Sequence, residues 1–189
     1  MKDLLAELTS GDDQRAERPI SALVELGLDS IPPLLHLTHS EDVDTRWWAV
    51  RALAASPHTR TSYLIPLLDD SSAEIRAAAA LALCEHPGEE AVEALTKALS
   101  DEDSLTAGLA GNALVRVGSP AVPSLLEVLK EASANVRILA LRALSEIRDH
   151  RAIPAMMNCL NNENESAVAQ YWAQQGLERL GLDMVYIKP

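Results

Sequence analysis

The chain has 189 residues, 48% of them apolar, enough for one substantial domain or a short repeat array. Phenylalanine is absent and aromatics make up only 3%, so the core falls to alanine and leucine, which suit closely packed helices. A net charge of −12 argues against a nucleic-acid surface, because that affinity comes largely from Lys and Arg displacing counterions.

Taken in chain order, the sequence opens on an outer helix over about residues 2–9 and then begins to repeat. Asp12, Asp42, Ser72, Asp103, Ser133 and Ser166 each stand ten residues before an Ala-Leu or Gly-Leu pair. All six are residue types whose side chains accept hydrogen bonds from the orphan N–H groups of a helix start. The pairs are Ala22-Leu23, Ala52-Leu53, Ala82-Leu83, Ala113-Leu114, Ala143-Leu144 and Gly176-Leu177, at intervals of about thirty residues. A second ladder, Leu8, Leu37, Leu68, Leu99, Leu129 and Leu160, closes the other helix of each pair with the same period. Ile31-Pro32, Val122-Pro123 and Ile153-Pro154 mark three starts of outer helices, since proline is tolerated in a first turn. Pro66 falls late in its outer helix and predicts a short or kinked one. The last inner helix covers about residues 166–180. The fold expected is an all-α, right-handed α-solenoid of about six antiparallel helix-pair repeats of roughly 31 residues. It forms a single domain over 1–189, with 182–189 a short C-terminal tail.

Thr45-Arg46-Trp47-Trp48-Ala49-Val50-Arg51-Ala52-Leu53, Glu74-Ile75-Arg76-Ala77-Ala78-Ala79 and Asn135-Val136-Arg137-Ile138-Leu139-Ala140-Leu141-Arg142-Ala143-Leu144 carry one motif. It resembles the V-R-x-x-A-x-x-A-L signature of HEAT-like repeats of the phycobilisome-lyase type. Arg151-Ala152-Ile153-Pro154-Ala155 is similar to that family's R-A-[VI]-P-x-L segment, with Met156 at its Leu position. In three repeats the signature Arg is replaced by Ala16, Ala107 and Gln170. The resemblance implies that the helix bearing the signature lines a concave groove, with Ala49, Ala52 and Leu53 facing the partner helix. The groove residues it implies are Trp47, Trp48, Arg51, Ala78, Leu81, Leu109, Asn112, Leu139, Arg142, Tyr171, Trp172 and Gln175. Adjacent residues on a helix lie about 100° apart, so of Trp47 and Trp48 at least one should be exposed.

Catalytic and metal motifs are missing from the sequence: it has no GxSxG, no HExxH and no glycine-rich phosphate loop. The five histidines, His36, His39, His58, His86 and His150, read as surface or helix-end residues rather than as a convergent ligand set. No His-Glu dipeptide occurs, so the iron-binding pairs of the repeat-built hydroxylases are lacking. Cys84 and Cys159 lie in apolar helical patterns, where a free thiol acts as a small hydrophobe. No apolar run is long enough to span a bilayer. These readings point to a cytoplasmic, non-catalytic interaction module without cofactor or metal. Its partner would be a protein, a peptide or a second copy of the chain, and neither nucleic acid nor membrane. The alternative, which the resemblance implies, is a bilin lyase-like or chaperone-like protein acting on a chromophore-carrying partner.

Overall fold

A computed structural model describes residues 1–182; the expected tail beyond Leu182 lies outside the described residues. Every described secondary-structure element is helical. The contacts divide the chain into two compact units, Met1–Ala91 and Val92–Pro189.

The first unit contains α1 (Lys2–Leu8), α2 (Asp13–Glu17), α3 (Pro19–Glu25), α4 (Ile31–Leu37), α5 (Val43–Ala55), α6 (Thr61–Leu64) and α7 (Ala73–Glu85). The second contains α8 (Val92–Ala98), α9 (Ser104–Val117), α10 (Val122–Glu131), α11 (Ala134–Ile147), α12 (Ile153–Asn161) and α13 (Ala167–Arg179). The local chemistry explains most of these boundaries. All six expected N-cap residues stand at N-cap positions. Asp12, Asp42, Asp103 and Ser166 accept the backbone N–H three residues on, at 2.8 Å for the three aspartates and 3.2 Å for Ser166. Helices α4, α10 and α12 start at Ile31, Val122 and Ile153, each followed at once by proline. Pro66 shortens its helix as expected: α6 gives way after one turn to a 3-10 segment, Ile65–Asp69. The first inner helix departs from expectation, because it is broken into α2 and α3. Pro19 has no N–H to give to an α-ladder and restarts the helix at its first turn.

Packing follows the two leucine ladders. In the first unit α4 packs on α5 and α5 on α7; in the second, α8 packs on α9, α10 and α9 on α11, and α11 and α12 on α13. Leu53, Leu83, Leu114, Leu144 and Leu177 are completely buried, each contributing about 1.5–3 kcal/mol of burial free energy. Ala49, Ala79, Ala110, Ala140 and Ala173 are fully buried beside them, and their small size lets neighbouring helices approach closely. Gly176 replaces the ladder alanine for a specific reason. A Cβ there would come within 2.5 Å of the Met156 methyl carbon, which already fills the space.

Two consecutive inner helices of the second unit end in the left-handed region, at Gly118 (φ 81°) and at Arg148 (φ 58°). Glycine adopts such a backbone freely, whereas a side chain is strained there by about 1–2 kcal/mol. Arg148→Gly is therefore expected to stabilise the fold by about 1 kcal/mol. A urea-denaturation midpoint that fell would contradict this.

Candidate functional site

The signature arginines do not point into a groove. Arg46, on the first turn of α5, is buried and faces the polar break that follows its repeat. Its Nε and Nη2 each donate to an Asp70 carboxylate oxygen at 2.9 Å, and its Nη1 donates to the Ser40 and Glu41 carbonyls at 2.9 and 3.2 Å. Burial alone would raise the Asp70 carboxyl. The Arg46 guanidinium and the Ser72 N–H outweigh it and hold the group below the usual carboxylate range. Arg76 donates in the same way to the Asp70 and Ser71 carbonyls. Arg137 donates to the Leu129 carbonyl and pairs with Glu165. Gln170 keeps half of the device, donating to the Asn162 carbonyl at 3.1 Å. The motif arginine is thus a clamp between turns, and its fork of planar donors suits that task.

The expected groove residues divide between the units: Trp47, Trp48, Arg51, Ala78 and Leu81 in the first, the other seven in the second. The structure corrects one of them. Trp48 is only 6% exposed and packs into the first unit's core, because it shares a helical face with the buried Ala52 four residues on. Trp47, one step around the helix, is half-buried and meets Trp48 edge to face at 4.8 Å. Arg51 lies 5.7 Å from the Trp47 ring centroid, within cation–π range, and its guanidinium is bound bidentately by Glu17 at 2.6 and 2.9 Å. Glu17 was not singled out in the sequence, since it lies 34 residues from its partner. On α7, Leu81 is 54% exposed and Ala78 half-buried.

In the second unit Asn112 and Arg142 come together: the guanidinium of α11 donates to the Asn112 side-chain carbonyl of α9. Arg142 also lies 3.6 Å from Glu146. Tyr171 is 54% exposed and stacks edge-on against the half-buried Trp172, with ring centroids 5.4 Å apart. Gln175 donates to Glu178 at 2.9 Å, and Leu109 and Leu139 are half-buried. The exposed Leu105 and Val168, on the first turns of α9 and α13, widen the apolar area and were missed by the sequence reading.

No group of three or more His, Cys, Asp or Glu able to hold a metal occurs among the described residues. His86 ends α7, and its Nε2 donates to the Ala54 carbonyl at 2.8 Å, so it ties two helices together. No helix among the described residues is long and apolar enough to cross a membrane.

Helix pairs that repeat through both units, joined by capped polar turns, define a protein built of α-solenoid repeats. The chain belongs to the HEAT repeat family, whose model matches residues 61–133 and 108–178. A relative from Pseudanabaena tenuis, an uncharacterized phycocyanin operon protein Z, is 28% identical over 157 residues, covering 78% of each chain. The bilin biosynthesis protein RpcF of a Synechococcus species is 34% identical over 100 residues, 53% of this chain and 47% of the relative's length. The chain therefore matches about half of RpcF. Among solved structures, the complex of CpcE and CpcF of phycocyanin lyase from a Nostoc species aligns with a TM-score of 0.60 at 21% identity. That alignment covers 82% of this chain and 66% of the other. A designed armadillo repeat protein in complex with a peptide aligns at 0.53 and 20% identity, over 94% and 98% of the two chains. These likenesses show the fold and bear out the resemblance to HEAT-like repeats of the phycobilisome-lyase type. The likeness to a bilin biosynthesis protein also corrects the expectation of a non-catalytic module.

Proposed function

We propose that this chain is a bilin lyase-like protein that acts on a chromophore-carrying protein partner. The observation that carries the reading is the 34% identity to a bilin biosynthesis protein over 100 residues. The geometry supports a protein partner. The inner helices of each unit present apolar and aromatic side chains beside fixed polar groups: Leu81 near α5 in the first unit, Tyr171 and Trp172 with the Asn112–Arg142 pair in the second. Aromatic side chains and arginine are the residues that interface hot spots favour. The solved phycocyanin lyase is a complex of two chains, so the proposal includes a second repeat protein as working partner.

The test is co-expression of the chain with a phycobiliprotein subunit, a bilin supply and, in a parallel arm, a second HEAT-repeat chain. Covalently held bilin on the carrier is read by zinc-enhanced fluorescence in a denaturing gel. Carrier loading should rise when the chain is present, and Tyr171→Ala should weaken carrier binding by about 1–2 kcal/mol. Loading that is the same with and without the chain, in both arms, would overturn the reading.

A further inference from the structure

Charge is unevenly divided between the two units. Met1–Ala91 holds 16 Asp and Glu against 7 Lys and Arg, whereas Val92–Pro189 holds 12 against 9. Part of the excess borders the open face of the inner helices α3, α5 and α7, which pack in succession. Asp44, Trp47, Arg51 and Ala55 follow one another at spacings of three or four on α5, and Glu74, Ala78, Leu81 and Glu85 do so on α7. Each set therefore shares one side of its helix, and all eight residues are exposed or half-buried. The thirty-residue period aligns the sets in rows: Asp44 with Glu74, Arg51 with Leu81, and Ala55 with Glu85 and with Glu25 of α3. The middle of the face is apolar, formed by Trp47, Ala78 and Leu81. Arg51, which stands among them, is already neutralised by its bidentate pair with Glu17.

Carboxylates bound this apolar strip on both sides. Asp44 and Glu74 stand in the first turns of α5 and α7, where the helix dipole favours them. Glu25 and Glu85 are the last residues of α3 and α7, where the same dipole disfavours a negative charge and no basic residue shares the turn. In the second unit, by contrast, α9, α10 and α13 carry Arg116, Lys130 and Arg179 in their last turns. Helix stability therefore gives no account of the two glutamates, whereas a cation arriving from outside does. The spacing selects the shape of what arrives. From Asp44 to Ala55 α5 rises about 16 Å, so the two rims bracket a helix about 10–12 Å across. Three helices at about 8–10 Å spacing give a floor that about twelve residues of helix would cover.

We propose that the inner face of α3, α5 and α7 docks a basic amphipathic helix of a partner protein. Its apolar stripe lies on Trp47, Ala78 and Leu81, and its Lys or Arg flanks face Asp44 and Glu74 on one side and Glu25 and Glu85 on the other. A second copy of this chain, itself at net charge −12, would be repelled. The inference rests on the reading that a protein partner meets the inner helices, and it specifies the kind of element that meets the first unit.

The probe is a labelled 18-residue helical peptide with a leucine stripe flanked on both sides by lysines, titrated with the purified chain and followed by fluorescence anisotropy. An isomer with glutamates on the flanks and a scramble of the lysine peptide serve as comparisons. The lysine-flanked peptide should bind, more weakly as salt is raised, and both comparison peptides should bind at least about tenfold more weakly. Leu81→Gln should weaken the lysine-flanked peptide by about tenfold. Glu25→Lys combined with Glu85→Lys should weaken it by a similar factor while raising the urea midpoint, since lysine suits a helix C-terminus. A purely structural role for the glutamates would not move stability and binding in opposite directions. No binding of the lysine-flanked peptide, a scramble that binds as tightly, or a doubly reversed variant that binds like the parent would each overturn the groove. The two readings fail separately. Peptide binding by a chain that loads no carrier sinks the lyase-like function, whereas carrier loading by a chain that binds no such peptide sinks the groove alone.

Discussion

Trp48→Ala should cost about 3–5 kcal/mol of folding stability, the range for removing a large aromatic from a packed core. The ring is 6% exposed and lies on the same side of α5 as the buried Ala52, so its loss leaves a void that small neighbours cannot fill. Trp47→Ala is the informative contrast. That ring is half-buried, and its distinctive contact is the Arg51 guanidinium, worth about 0.5–1 kcal/mol at an exposed site. Urea denaturation of the two variants should therefore separate adjacent tryptophans by several kcal/mol. Equal midpoints would mean that the buried face of α5 has been misassigned.

Arg46→Ala should cost about 3 kcal/mol, because it strips a nearly buried carboxylate of its counter-ion and leaves two carbonyls without their donor. The Asp70 carboxyl is depressed in the folded state, so its contribution is present above the unfolded carboxylate value and is lost as pH falls through the folded value. The parent should lose stability on acidification below about pH 4, and Arg46→Ala should lose less over the same range. Arg46→Ala with Asp70→Ala should cost less than the two single changes summed, since the double variant buries no lone charge. Additive costs, or an unchanged acid limb, would remove the clamp from the account.

What the sequence made legible was local chemistry. The caps, the prolines and the leucine ladders each act within one turn of helix, so their period alone placed α4, α5, α7 and α9–α13. The break between α2 and α3 was equally local, written in Pro19, but the repeat period masked it. The site was less legible because its geometry is not local. Helix α5 carries small or apolar residues on most of its faces, so the pattern could not say which tryptophan turns inward. The arginine motif was visible, yet its partner, Asp70, stands 24 residues away, and nothing in the spacing distinguishes a clamp from a groove residue.

The arginine clamps also set how each unit holds together as it opens. Each clamp joins a helix to a turn belonging to a neighbouring repeat, so it acts as a nearest-neighbour coupling in a one-dimensional array. Where the arginine is present, a repeat cannot loosen without disturbing the next one. Where Ala16 stands in its place, the first repeat lacks that link and its helix is already split at Pro19. Cooperativity in the first unit is therefore graded along the chain. The split N-terminal repeat can fray by itself, while the helices gathered around Arg46, Asp70 and Arg76 open together as one block.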